Sequence, residues 1–158
     1  MNRPFATKST LFEAIELINS GRIGQAEAIC RAAVERNDQD VNMTALLGAT
    51  LLKARKTEEA ERWLRHSMEL APNFAKPWSD LGQLLVDTRR PREAMEALET
   101  AVRLDPKEDD AWFNLGKARA MLGRGREADQ AFEQSFELNP GRKALAHAAE
   151  HQQAGRWA

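Results

Sequence analysis

Trp78-Ser79-Asp80-Leu81-Gly82 and, thirty-four residues on, Trp112-Phe113-Asn114-Leu115-Gly116 are the stretches whose reading decides the fold. Each is followed by an alanine, Ala94 or Ala128, and later by a proline, Pro106 or Pro140. Carried outward in both directions, the spacing lays residues 7–40, 41–74, 75–108 and 109–142 beneath one another without a gap, the mark of a repeat architecture. One column reads Ala14, Gly48, Gly82, Gly116 and another Ala26, Ala60, Ala94, Ala128. Only small residues suit a place where one backbone must approach another. Leu17, Leu51 and Leu85, and then Cys30, Leu64, Leu98 and Phe132, recur at spacings that follow a helical face. Each unit is therefore expected to hold two amphipathic helices. Gly21, the turn at 55–57, Arg89-Arg90-Pro91 and Gly123-Arg124-Gly125 mark the junction inside each unit. Pro72, Pro106 and Pro140 mark the ends of units, because proline biases the residue before it away from helical geometry.

The composition agrees with many small packing sites. In 158 residues there are six phenylalanines, four tryptophans and no tyrosine, too few aromatics for one large globular centre. A net charge of -1 gives no overall reason to bind nucleic acid or an acidic membrane. The single cysteine, Cys30, excludes an intrachain disulfide and suits a reducing compartment. The first residues lack the apolar run of a signal peptide, and no stretch approaches membrane-spanning length. The chain reads as cytoplasmic and soluble.

The tryptophan, leucine-glycine, alanine and proline positions resemble the consensus of the tetratricopeptide repeat family, over residues 7–142. The resemblance implies an all-α fold, a right-handed α-solenoid of stacked antiparallel helix pairs, with residues 1–6 as a leading segment. Residues 143–154 look like the first helix of a fifth unit, or a capping helix running on to 158. Departures gather in the first repeat, where Thr10, Glu13 and Asp38 replace the usual aromatic, leucine and proline, as expected of a terminal unit. After Gly155-Arg156-Trp157 the sequence stops at Ala158, although Gly21-Arg22-Ile23 in the first repeat leads into a full second helix, so the sequence is read as breaking off inside a repeat. A piece of a longer protein is expected, with an uncapped end able to self-associate.

Catalytic motifs are weighed and set aside. His147-Ala148-Ala149-Glu150-His151 spells the H-x-x-E-H of inverted zinc peptidases, yet His66 is the one other histidine and no acidic ligand follows. It reads as the polar face of a helix. Cys30 shares a column with Leu64 and Leu98 and reads as core, as do Trp63, Trp78 and Trp112. No phosphate-binding loop or serine-histidine-acid set presents itself, so neither an enzyme nor a cofactor is expected.

The expected function is a scaffold that binds another protein or peptide on the concave surface lined by the first helix of each repeat. Projection of those helices puts Leu11, Ile15, Ile18, Ala45, Ala49 and Leu52 toward the hollow in repeats one and two, an apolar half. Lys76, Ser79, Gln83, Asp110, Phe113, Asn114 and Lys117 follow in repeats three and four, a polar half with one aromatic anchor. A partner with an apolar and a polar end is expected, or else the apolar half is covered by residues 2–6, with Phe5, folding back over it or by a second copy of the chain. In chaperone-binding relatives lysines and asparagines clamp a terminal carboxylate. The matching positions here are Leu11, Ile15, Leu46, Lys76 and Asp80, and Lys76 alone fits, which argues against chaperone-tail binding. A second expectation is a regulatory segment of a larger bacterial transferase, such as a sulfotransferase, with catalysis beyond Ala158. Third is an anionic partner such as RNA. Arg22, Arg55, Lys56, Arg89, Arg90, Arg92, Arg124 and Arg126 gather at the turns inside repeats, opposite Asp38, Asp40, Asp105, Glu108, Asp109 and Asp110. These charges also complement helix dipoles, and no aromatic interleaves the arginines, which argues against nucleic acid.

Overall fold

A computed structural model describes residues 6–143. Among them the chain runs as α1 (Ala6–Asn19), α2 (Ile23–Arg36), α3 (Val41–Lys53), α4 (Thr57–Leu70), α5 (Ala75–Asp87), α6 (Pro91–Leu104), α7 (Asp109–Met121) and α8 (Gly125–Leu138), with no strand. A further helical turn begins at Pro140. The H-x-x-E-H motif and most of the expected fifth-repeat helix lie outside the described residues.

Helix starts and stops follow local chemistry. The Asp40 carboxylate accepts from the backbone N–H of Asn42 and Met43 and caps α3. Pro91 opens α6 at the position where its missing N–H has no partner to lose. The residues one before each unit-ending proline, Ala71, Asp105 and Asn139, have φ of -143°, -135° and -138°, so α4, α6 and α8 stop on schedule.

The turns inside the repeats share one irregular backbone position. Gly21, Arg55, Arg89 and Gly123, each thirty-four residues from the next, have φ of 77°, 62°, 61° and 74°. This left-handed conformation lets the second helix fold back on the first. Glycine adopts it freely, whereas an arginine there carries a Cβ penalty.

The pairing inside each unit explains the small-residue column. A Cβ on Gly48 would meet Leu64 Cγ at 2.8 Å, and one on Gly116 would meet the Phe132 ring at 2.6 Å. In the first unit Ala14 holds the glycine position and Cys30 the leucine position, both fully buried. The larger residue on one helix is matched by a smaller one sixteen positions on. Burial pushes the Cys30 thiol up to about 11, with the Thr50 hydroxyl pulling weakly the other way. Cys30 is thus a protonated core side chain at neutral pH.

Between units, the tryptophans act as latches. Trp78 Nε1 donates to Pro72 O at 2.9 Å and Trp112 Nε1 to Pro106 O at 2.8 Å, tying each first helix to the turn that precedes it. Thr44 fills that position in the second unit, but its hydroxyl donates to Asp40 O and Val41 O beside it. There, a contact between His66 Nε2 and Asp38 O at 2.9 Å links α4 back to the preceding turn.

Candidate partner-binding surface

Curvature decides which helices face inward. The backbone of α3 approaches both α1 and α5, and that of α5 approaches α7, while no two of α2, α4, α6 and α8 come together. Long side chains alone span that gap, as where Arg31 reaches Glu59 at 2.7 Å. First helices packed closely and second helices splayed apart put α1, α3, α5 and α7 on the inner, concave side.

The expected groove residues fall into two groups. Ile15 is exposed, with Leu11, Ile18, Ala49 and Leu52 half-buried and Gln83 and Asp110 exposed. Ala45, Ser79 and Asn114 are 6%, 2% and 7% exposed, so they offer a partner little surface. Phe113 departs from the anchor expected of it. Its ring packs against Phe132 and Phe136 of α8, with centroids 5.4 and 6.4 Å away. The Arg142 guanidinium lies 4.7 Å from its centroid and Lys117 Nζ 5.9 Å. The ring is already engaged because α8 presents two phenylalanines to it.

Lys76 is likewise occupied. Its ammonium pairs with Asp80 at 3.0 Å and Glu108 at 3.1 Å. Burial works against that charge, but the two carboxylates outweigh it and hold the Lys76 pKa above its ordinary value. Burial pushes the Asp80 and Glu108 carboxyls up, with Lys76 opposing. A lysine so committed is a poor clamp for an incoming carboxylate.

Projection missed the far ends of the first helices. Val86 and Asp87 of α5, with Lys117, Ala120 and Met121 of α7, border a cavity of about 390 Å³ that opens beside Arg89 and Phe132. The signal was present in the column that supplied Leu52, which continues as Val86 and Ala120.

The turn cations separate into paired and free. Lys56 Nζ donates to Glu27 at 2.8 Å, where Arg31 also binds. One repeat later Arg90 and Arg65 bind Glu61 in the same way, at 2.8 and 2.7 Å. The ladder stops in the third unit, because Met95 and Glu99 stand where Glu61 and Arg65 would be. Arg124 meets Glu127 at 3.5 Å. Among the described residues, no ion pair involves Arg55, Arg89, Arg92 or Arg126. The basic edge is therefore a row of separated charges, partly neutralised by its own helices. On the opposite edge Asp109 and Asp110 are bound by Arg142.

No group of three or more metal-ligating side chains is gathered among the described residues, and no described helix is long and apolar enough to cross a membrane.

Solved structures of similar shape come from several proteins. The crystal structure of MamA aligns with a TM-score of 0.73 at 18% identity, covering 87% of this chain and 80% of that one. A structure from the functional characterization of Pseudomonas aeruginosa pilF aligns at 0.75 and 21%, covering 84% and 61%. A thermophilic tetratricopeptide protein of Thermus thermophilus aligns at 0.75 and 20%, covering 84% and 74%. At these identities the likeness is one of fold. No curated protein matches in sequence. The transferase array expected above finds no support in these comparisons. The family model for the tetratricopeptide repeat matches residues 13–73 and 79–143, and with the latches, the glycine-to-leucine seats and the inward first helices in place, the chain belongs to the tetratricopeptide repeat family.

Proposed function

We propose that this chain is a non-catalytic scaffold that holds a segment of another protein against its concave face. The observation that carries the reading is apolar surface on the first helix: Ile15 is 36% exposed and Phe12, also on α1, 64%. With Leu11, Ile18 and Leu52 around them, they form a stripe that water contact makes unfavourable by about 25 cal/mol per Å² left uncovered. Further along, Gln83 and Asp110 offer hydrogen bonds in the open. An amphipathic segment laid along α1 to α7 satisfies both ends. The buried, protonated Cys30 fits a cytoplasmic setting, where no disulfide is called for.

A photo-crosslinking amino acid placed at Gln83, on the concave side, or at Arg62, on the second-helix side, tests the reading in cell extract. Adducts are expected from position 83, and their loss on combining Ile15→Ser with Leu52→Ser while circular dichroism shows the helices intact. Adducts from position 62 alone, or adducts at 83 that the folded double variant leaves unchanged, would sink it.

A further inference from the structure

The cavity between the third and fourth repeats has an apolar wall and a charged rim that suit a ligand. Ala120 stands where the preceding units carry Leu52 and Val86. Val86 is 5% exposed and Ala120 is exposed, and both border an open cavity of about 390 Å³. Its apolar wall includes Met121, 36% exposed, and Phe132. A void of that kind is ready for an aliphatic side chain.

The rim supplies charge. Arg89 and Lys117 both border the opening, and neither has a carboxylate within ion-pair distance among the described residues. Asp87 shares the rim, so two cations face one carboxylate and the balance stays cationic. Asp87 is also the last residue of α5, where a negative charge opposes the helix dipole, so helix stability does not account for it. Arg89 is held at φ 61° in a position that Gly21 and Gly123 fill elsewhere. Arg55 holds the same conformation one repeat earlier, so an arginine is accepted at this position, and Arg89 stands at the opening.

Taking the concave-face reading as its basis, we infer that this cavity receives a partner segment in which an aliphatic side chain stands next to an acidic residue. The aliphatic group fills the space above Ala120 and the carboxylate meets Arg89 and Lys117. This lies away from Lys76, whose charge is already spent on Asp80 and Glu108.

The probe is the peptide acetyl-Gly-Ser-Leu-Glu-Ser-Gly-amide, titrated into the full chain while backbone-amide NMR shifts are followed. Shifts are expected at residues 86–89 and 117–121. Replacing the probe's leucine by alanine should weaken binding by about tenfold, through lost apolar burial. Replacing its glutamate by glutamine should weaken it by about threefold, as for an exposed ion pair. Ala120→Leu fills the cavity with a residue that the column already accepts, so the protein should stay folded while the probe is lost. Arg89→Gly should weaken the probe while relieving the left-handed strain, and Asp87→Asn should tighten it. Shifts elsewhere, no shifts, equal binding of the glutamine probe, or unchanged binding by Ala120→Leu would each overturn the inference. If extract adducts survive Ala120→Leu but vanish with the Ile15 and Leu52 changes, the cavity inference fails and the groove reading stands.

Discussion

A Cβ added to Gly82 would lie 2.3 Å from Leu98 Cγ, and Leu98 is fully buried with nowhere to move. The two residues set the distance between α5 and α6. Alanine is better than glycine inside a helix by about 1 kcal/mol, but overpacking a sealed core costs about 1–3 kcal/mol. Gly82→Ala should therefore destabilise the protein by up to about 2 kcal/mol in urea unfolding. In the first unit the same seat is Ala14 with Cys30. Combining Gly82→Ala with Leu98→Cys should cost less than the sum of the two changes, and simple additivity would show that the contact does not set the spacing.

Arg55→Gly should stabilise the chain by about 0.5–1 kcal/mol, because φ of 62° is free for glycine and strained for arginine. Gly123→Ala, at φ 74° with open space around its Cβ position, should lose about 1 kcal/mol from backbone strain alone. Thermal midpoints moving in opposite directions for the two variants are the expected result.

Ser67 and Ser135 occupy the same column and call for opposite outcomes. The Ser67 hydroxyl is buried with no hydrogen-bond partner among the described residues, whereas Ser135 Oγ donates to Asp109 O at 2.9 Å. The third unit uses Ala101 there. Ser67→Ala should gain about 1 kcal/mol and Ser135→Ala should lose about 1 kcal/mol, read from denaturant midpoints at unchanged slope.

Acid should weaken the ion-pair ladder in a defined window. The hydrogen bond from Lys56 holds the Glu27 carboxyl below its ordinary pKa, and that from Arg90 does the same for Glu61, with burial opposing both. A depressed carboxyl contributes stability that is complete above the unfolded-state pKa, about 4.3, and is lost as pH falls through the lower folded value. Asp80 and Glu108, raised by burial, work in the opposite direction, so the effect is read as the difference between proteins. Glu27→Gln combined with Glu61→Gln should flatten the loss of stability between about pH 5 and pH 2. An unchanged acid slope would remove the ladder from the account.

The sequence alone determined the helices and their stacking. Small residues at 48, 82 and 116, alanines at 60, 94 and 128, and prolines at 72, 106 and 140 state local requirements for close approach and for termination, and a fixed period repeats them. Such requirements are met within one helix pair, so they are visible in a row of letters. Tertiary structure decided what each surface side chain has left to offer. Whether Lys76 is free depends on Glu108, thirty-two residues away, and whether Phe113 is an open anchor depends on two phenylalanines of α8. Ser79 and Asn114 looked available because projection of one helix ignores everything packed around it, and in the fold both are buried. The cavity beside Ala120 is bordered by residues of both α5 and α7, a relation between repeats that no single helix contains.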